Sequence, residues 1–178
     1  GFVALDMARR HRQRLCTLTL SGILLSHEKL FEMYQEISLR FFRAGAIGFE
    51  LYTHYLYEKI FGEAFVRSAT PYLEKMRLAF SERFQHRVHG LIRLTEAQNP
   101  FFAQLDDHMS GFLAIQTPTL ILAGDDDRVI LPRIQRKIPD ILPCTRFEPI
   151  ANSGHVVFLE QPEIFFGLLK RFCHAKST

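Results

Sequence analysis

The chain is 178 residues long, enough for one domain with its own core. It is 47% hydrophobic and 23% charged with a formal net charge of +3, the profile of an ordinary soluble globular protein. Lys and Arg are spread through helical stretches, and no apolar run approaches the ~20 residues needed to cross a bilayer, so neither nucleic acid nor a membrane span is expected.

Residues 1–26 predict a helix followed by a strand. Phe2-Val3-Ala4-Leu5-Asp6-Met7-Ala8-Arg9-Arg10-His11 carries apolar residues at helical spacing, with its cations near the end that the helix dipole makes negative. Leu15–Leu20 is short and β-prone, and Ser21-Gly22 is a turn signal that stops it.

Residues 27–113 predict almost continuous helix. Ser26 reads as an N-cap with Glu28 in the first turn, and Leu30, Met33, Tyr34, Ile37 and Phe41 then share one face. Gly45 and Gly48 break the pattern, and a second run covers about 49–61. Thr70-Pro71 reads as another helix start with proline at the first position. A further run carries Phe84, Val88, Leu91 and Leu94, and Asn99-Pro100 ends it. This zone holds all five Tyr and most of the 17 Phe. The rings either build a helix-on-helix core or cover something apolar, and the two readings are compatible.

Residues 114–178 return to strand–helix alternation. Thr119–Ala123 is continuously apolar, as in a strand with both faces buried. Leu131-Pro132 starts a helix through about Ile138, Thr145–Ile150 is the next strand, and Pro162 opens a last helix with Phe165, Leu168, Leu169 and Phe172 inward. The order predicts an α/β fold with parallel strands and right-handed crossovers.

Cys16, Cys144 and Cys173 are odd in number and lack metal-ligand spacing. They read as small buried hydrophobes or as free thiols of a reducing compartment. No signal peptide is visible, and a missing N-terminus would hide one; the expected location is the cytoplasm. No cofactor and no metal is expected.

Two residues stand out for chemistry. Asp127 lies three residues after Gly124, at the carboxyl end of a buried strand, the edge where open α/β sheets bind ligands. A carboxylate there accepts a hydrogen bond from a histidine Nδ1–H and fixes its tautomer. Asp125 and Asp126 read as a solvated acidic turn. The Asp125-Asp126-Asp127 run lacks the alternate spacing and distal Glu of a calcium loop. His155 follows Gly154 after the next strand, with Asn152 and Ser153 making a turn, and imidazole takes and returns protons near neutral pH. Alone, His155 would read as a helix cap or surface residue; paired with Asp127 it reads as a catalytic base. No Gly-x-Ser-x-Gly occurs, and Ser21, Ser110 and Ser153 lack the flanking glycines of a strained nucleophile turn.

These features resemble the α/β-hydrolase superfamily from the helix after the nucleophile elbow to the C-terminus. The likeness is carried by Pro118–Asp127, by Gly154-His155-Val156-Val157-Phe158-Leu159-Glu160-Gln161-Pro162, which is similar to the family's histidine loop, and by residues 1–22. It implies that residues 1–26 and 114–178 are the C-terminal part of the core, with three parallel strands, and that 27–113 is an all-helical cap. Arg128 departs from the proline common after the acid. The implied activity is hydrolysis of an ester or thioester with an apolar acyl part, with His155 as base and Asp127 as its orienting acid.

The resemblance puts the serine just before residue 1, with Gly1 at or next to the close-packing glycine after it. The chain therefore reads as a fragment without its nucleophile and without turnover of its own. Two alternatives stay open: acyl transfer on hydroxyacyl substrates, and a non-catalytic ligand-binding member of the fold. A three-strand portion of the family sheet exposes a strand edge, which invites a partner. The expected partner is the missing N-terminal half or a second copy.

Overall fold

The computed structural model describes residues 1–175. Helix α1 (Phe2–Arg10) leads through a 3-10 turn into strand β1 (Leu18–Ser21). Six helices follow: α2 (Lys29–Arg43), α3 (Gly45–Ile60), α4 (Glu63–Phe84), α5 (Val88–Glu96), α6 (Asn99–Ala103) and α7 (Leu105–Leu113). The chain then runs β2 (Thr119–Gly124), α8 (Pro132–Gln135), β3 (Thr145–Ile150), α9 (Val157–Glu160) and α10 (Pro162–Ala175). The strands form one parallel sheet in the order β1-β2-β3, with Leu18 beside Thr119 and Thr119 beside Thr145.

Every residue of β2 is buried, because helices cover both faces of the sheet. Its alternate side chains serve two different cores. Ile121 joins Leu18 and Leu20 of β1 against Leu5 of α1 and Leu105 and Phe112 of α7. Leu120 and Leu122 point the other way and pack with Ile150 and Val157 against Phe165, Leu168 and Phe172 of α10. The helical segment between β1 and β2 has its own aromatic core of Phe42, Phe49 and Tyr52, with Phe80, Phe84 and Val88 against it.

Several local expectations are revised. β1 begins at Leu18 and not Leu15, since the ladder starts where Leu18 N–H donates to Pro118 O at 2.9 Å, and Pro118 has no N–H to extend it. Ser26 is no cap: its hydroxyl donates to the Glu28 carboxylate at 2.7 Å, and α2 starts at Lys29. Leu30, Met33, Tyr34 and Ile37 share one face as expected; that face is largely exposed, while α2 turns Ser38 and Phe42 inward. Thr70-Pro71 marks a kink within α4, where Ala69 leaves helical geometry (φ −117°, ψ 16°) ahead of the proline ring. The helix after Leu131 stops at Gln135. Pro139 disfavours helical geometry at Ile138, and a 3-10 turn takes over at Ile138–Asp140. The three cysteines are exposed and so are not core residues. No helix among the described residues is long and apolar enough to cross a membrane.

Candidate active site

The loops after β2 and β3 meet at the carboxyl edge of the sheet. Asp125 N–H donates to Ile150 O at 3.1 Å, and Asp126 N–H to Ser153 O at 3.0 Å. The second loop turns at Asn152, whose φ of 55° is a left-handed conformation that asparagine tolerates. Ser153 Oγ donates back to Ile150 O at 2.9 Å.

Asp127 is buried at 2% exposure, and every acceptor direction is used. Oδ1 accepts the backbone N–H groups of Val129 (2.9 Å) and Ile130 (2.8 Å), which closes the turn below it. Oδ2 accepts Gln135 Nε2 at 3.0 Å and His155 Nδ1 at 3.0 Å. A carboxylate fixed by three other donors presents its remaining lone pair in one direction, so the imidazole is oriented as well as paired. Both residues singled out from sequence are thus brought together.

The imidazole lies over Gly22, just past the end of β1. Gly22 has φ +60°, and a Cβ there would collide with the ring, lying 2.9 Å from Nδ1 and 3.1 Å from Nε2. Only glycine both adopts this turn and leaves room for the imidazole. His155 Nε2 has no hydrogen-bond partner among the described residues. His155 lines a cleft of about 300 Å³ together with Phe2, Gly22, Phe31, Tyr34 and Tyr52. Burial pushes the Tyr52 hydroxyl up to about 12, and pushes Tyr34 higher still, with Tyr52 and Tyr55 adding to the effect. Both phenols therefore stay protonated at any ordinary pH. The aromatic zone serves two ends at once: Phe42 and Phe49 form helix core, while Phe31 and Tyr34 face the cleft.

A strand edge that presents an acid and a histidine on consecutive loops, at bonding distance, is the arrangement of one well-populated fold family. Residues 1–162 match the family model described as the alpha/beta hydrolase fold. The chain belongs to the α/β-hydrolase family. Among curated relatives, it is 30% identical over 95 residues to human Protein ABHD14A, a match covering 53% of this chain and 33% of that protein. Among solved structures it is similar to MGS-M2, an α/β-hydrolase enzyme from a Medee basin deep-sea metagenome library, with a TM-score of 0.82 at 22% identity. That likeness covers 97% of this chain and 61% of the other. Est816, described as an N-acyl homoserine lactone degrading enzyme, has a TM-score of 0.70 at 27% identity, covering 97% of this chain and 63% of its own. The chain thus spans less than two thirds of each of these proteins, and about a third of the curated one.

Sequence reasoning missed four contributors. Asp126 is more than a solvated turn residue, since Oδ2 accepts Glu63 N–H at 2.6 Å at the start of α4. Arg128, the departure from proline, donates through Nη2 to Phe61 O at 2.6 Å and through Nη1 to Glu58 at 3.1 Å. The substitution therefore adds an anchor and leaves Asp127 in place. Gln135 gave no signal, because a glutamine in a short helix reads as surface. Glu160 stood inside the histidine loop without an assigned role. It is buried, and it accepts the N–H groups of Gly62 and Gly154. Burial raises its carboxyl above the ordinary glutamate value, against the opposing pull of those two N–H groups.

Proposed function

We propose that these residues form the acid–base half of a serine hydrolase that cleaves esters or thioesters with an apolar acyl part. The single observation that carries this reading is the 3.0 Å bond from His155 Nδ1 to Asp127 Oδ2 at an aromatic cleft. In the proposed reaction the bond keeps the proton on Nδ1 and leaves Nε2 as the base. Nε2 takes the proton of a serine hydroxyl while the serine oxygen attacks the ester carbonyl, then returns it to the departing alcohol or thiol. Asp127 orients the ring and stabilises the transient imidazolium. The serine and most of the oxyanion hole are assigned to sequence outside these residues, because no Gly-x-Ser-x-Gly lies within them. α1 supports the charge side of the reaction. It opens beside the cleft at Phe2, and a helix N-terminus favours negative charge.

The helical segment 27–113 is proposed as the cap over the acyl chain, with Phe31, Tyr34 and Tyr52 as its walls. A lactone belongs in the substrate panel beside linear esters, given the similarity to Est816. The test is hydrolysis of p-nitrophenyl butyrate, p-nitrophenyl octanoate and an acyl lactone. The 178-residue chain alone should give no turnover above buffer. The protein extended to include the serine turn should hydrolyse at least one of them, and His155→Ala should lower that rate by about 10³-fold or more. Turnover by the chain alone that His155→Ala abolishes refutes the missing nucleophile. Full activity of His155→Ala in the extended protein refutes the base.

A further inference from the structure

We propose that Glu160 is a positioning residue for His155, acting through Gly154; the inference rests on the acid–base reading above. Gly62, between α3 and α4, and Gly154, just before the histidine, meet backbone to backbone. A Cβ on Gly154 would lie 2.5 Å from Gly62 N, and one on Gly62 would lie 2.9 Å from Gly154 N. Their two N–H groups therefore converge on one buried spot, where each needs an acceptor. Glu160 supplies it. Oε2 accepts Gly62 N–H at 2.8 Å and Gly154 N–H at 3.0 Å, and Oε1 approaches Gly154 N at 2.9 Å.

The next residue is held from the other side. His155 N–H donates to Ile60 O, the last residue of α3, at 2.8 Å. The peptide that carries the imidazole is thus tied twice to the α3–α4 junction, once through Glu160 and once through Ile60. Asp126 and Arg128, from the loop of the acid, bind the same junction at Glu63 and Phe61. One short turn between two helices therefore sets the relative position of the acid and histidine loops. Removing the Glu160 carboxylate leaves two facing buried donors without an acceptor. That is costly enough to make the loops part. Glu160 does not line the cleft, so its effect on chemistry passes through the histidine.

The readout is the His155 Nδ1–H proton in NMR spectra of the 178-residue chain, assigned by its loss in Asp127→Asn. Glu160→Ala should lose it. Glu160→Asp keeps the charge but falls one carbon short of both N–H groups, and should also lose it while far-UV circular dichroism stays native. Glu160→Gln, whose carbonyl can take the Oε2 position while its NH2 then faces Gly154 N–H, should restore it in part. Glu163→Ala, on the exposed first turn of α10, should leave it unchanged. An unaltered signal in folded Glu160→Asp or Glu160→Ala overturns the positioning role alone. A wild-type spectrum without the signal overturns the Asp127–His155 pair, and this inference with it.

Discussion

The close approach of the acid and histidine loops makes a sharp prediction for Gly124, the last residue of β2. A Cβ at this position would sit well inside contact distance of the carbonyl oxygens of Gly154 and Ser153, and 2.8 Å from Ser153 C. All three are backbone atoms, so no rotamer change relieves the clash. In Gly124→Ala the histidine loop must retreat by about 1 Å, at an overpacking cost of roughly 1–3 kcal/mol. That retreat also stretches the Asp126–Ser153 and Asp125–Ile150 backbone bonds, now 3.0 and 3.1 Å. Each is worth about 1 kcal/mol, which brings the total to roughly 3–5 kcal/mol. For a chain of this size 1 kcal/mol moves the melting temperature by about 2–4 °C, so the expected fall is roughly 6–20 °C. Gly90→Ala is the control. Gly90 lies exposed in α5, and an added Cβ there meets nothing within 4 Å. That substitution should raise the melting temperature by a few degrees, because alanine loses less backbone entropy in a helix. Circular dichroism melts of the two variants measure both signs. A Gly124→Ala melt within about 2 °C of wild type would falsify the claim that the two loops are locked backbone to backbone.

Two pH effects follow from the buried groups. The carboxyl of Glu160 is raised above its ordinary value in the fold, so the folded state binds this proton more tightly than the unfolded chain does. Its contribution to stability is therefore complete below the ordinary glutamate pKa and is lost as pH rises through the raised value. Glu160→Gln lacks this titration, so its melting temperature relative to wild type should climb as pH rises above the ordinary glutamate range; a constant difference would refute the linkage. Tyr34 and Tyr52 are also raised, Tyr52 to about 12, so their stabilising contribution fades as pH climbs past the ordinary tyrosine range. The chain has no Trp, which leaves phenolate absorbance clean, and two of the five Tyr should ionise only with alkaline unfolding. Five tyrosines titrating together near pH ~10 in a folded chain would contradict the buried cleft walls.

The sheet and the acid–histidine pair were legible because their signals are local. Leu120–Ala123 is apolar throughout since both faces are covered, and Asp127 and His155 each follow a strand by a short turn. Strand topology alone then carries them to the same edge. Apart from Gln135, the residues that hold the pair in place were not legible because they tie it to segments remote in the chain. Glu160 meets Gly62 across 98 positions, and Asp126 meets Glu63 across 63. Neither spacing leaves a periodic trace. The acidic turn read as solvated for a sound local reason and Asp125 is indeed exposed; Asp126 departs because the first N–H of α4, at Glu63, has no intrahelical acceptor and binds its carboxylate. Leu30, Met33, Tyr34 and Ile37 do share one face and line one cleft, but helical spacing does not say what such a face meets. In this fold the interior side of α2 is decided by its own Phe42 packing against Phe49 and Tyr52 of α3. Local pattern therefore located the acid and the histidine, and long-range backbone contacts at one helix junction tie their two loops together.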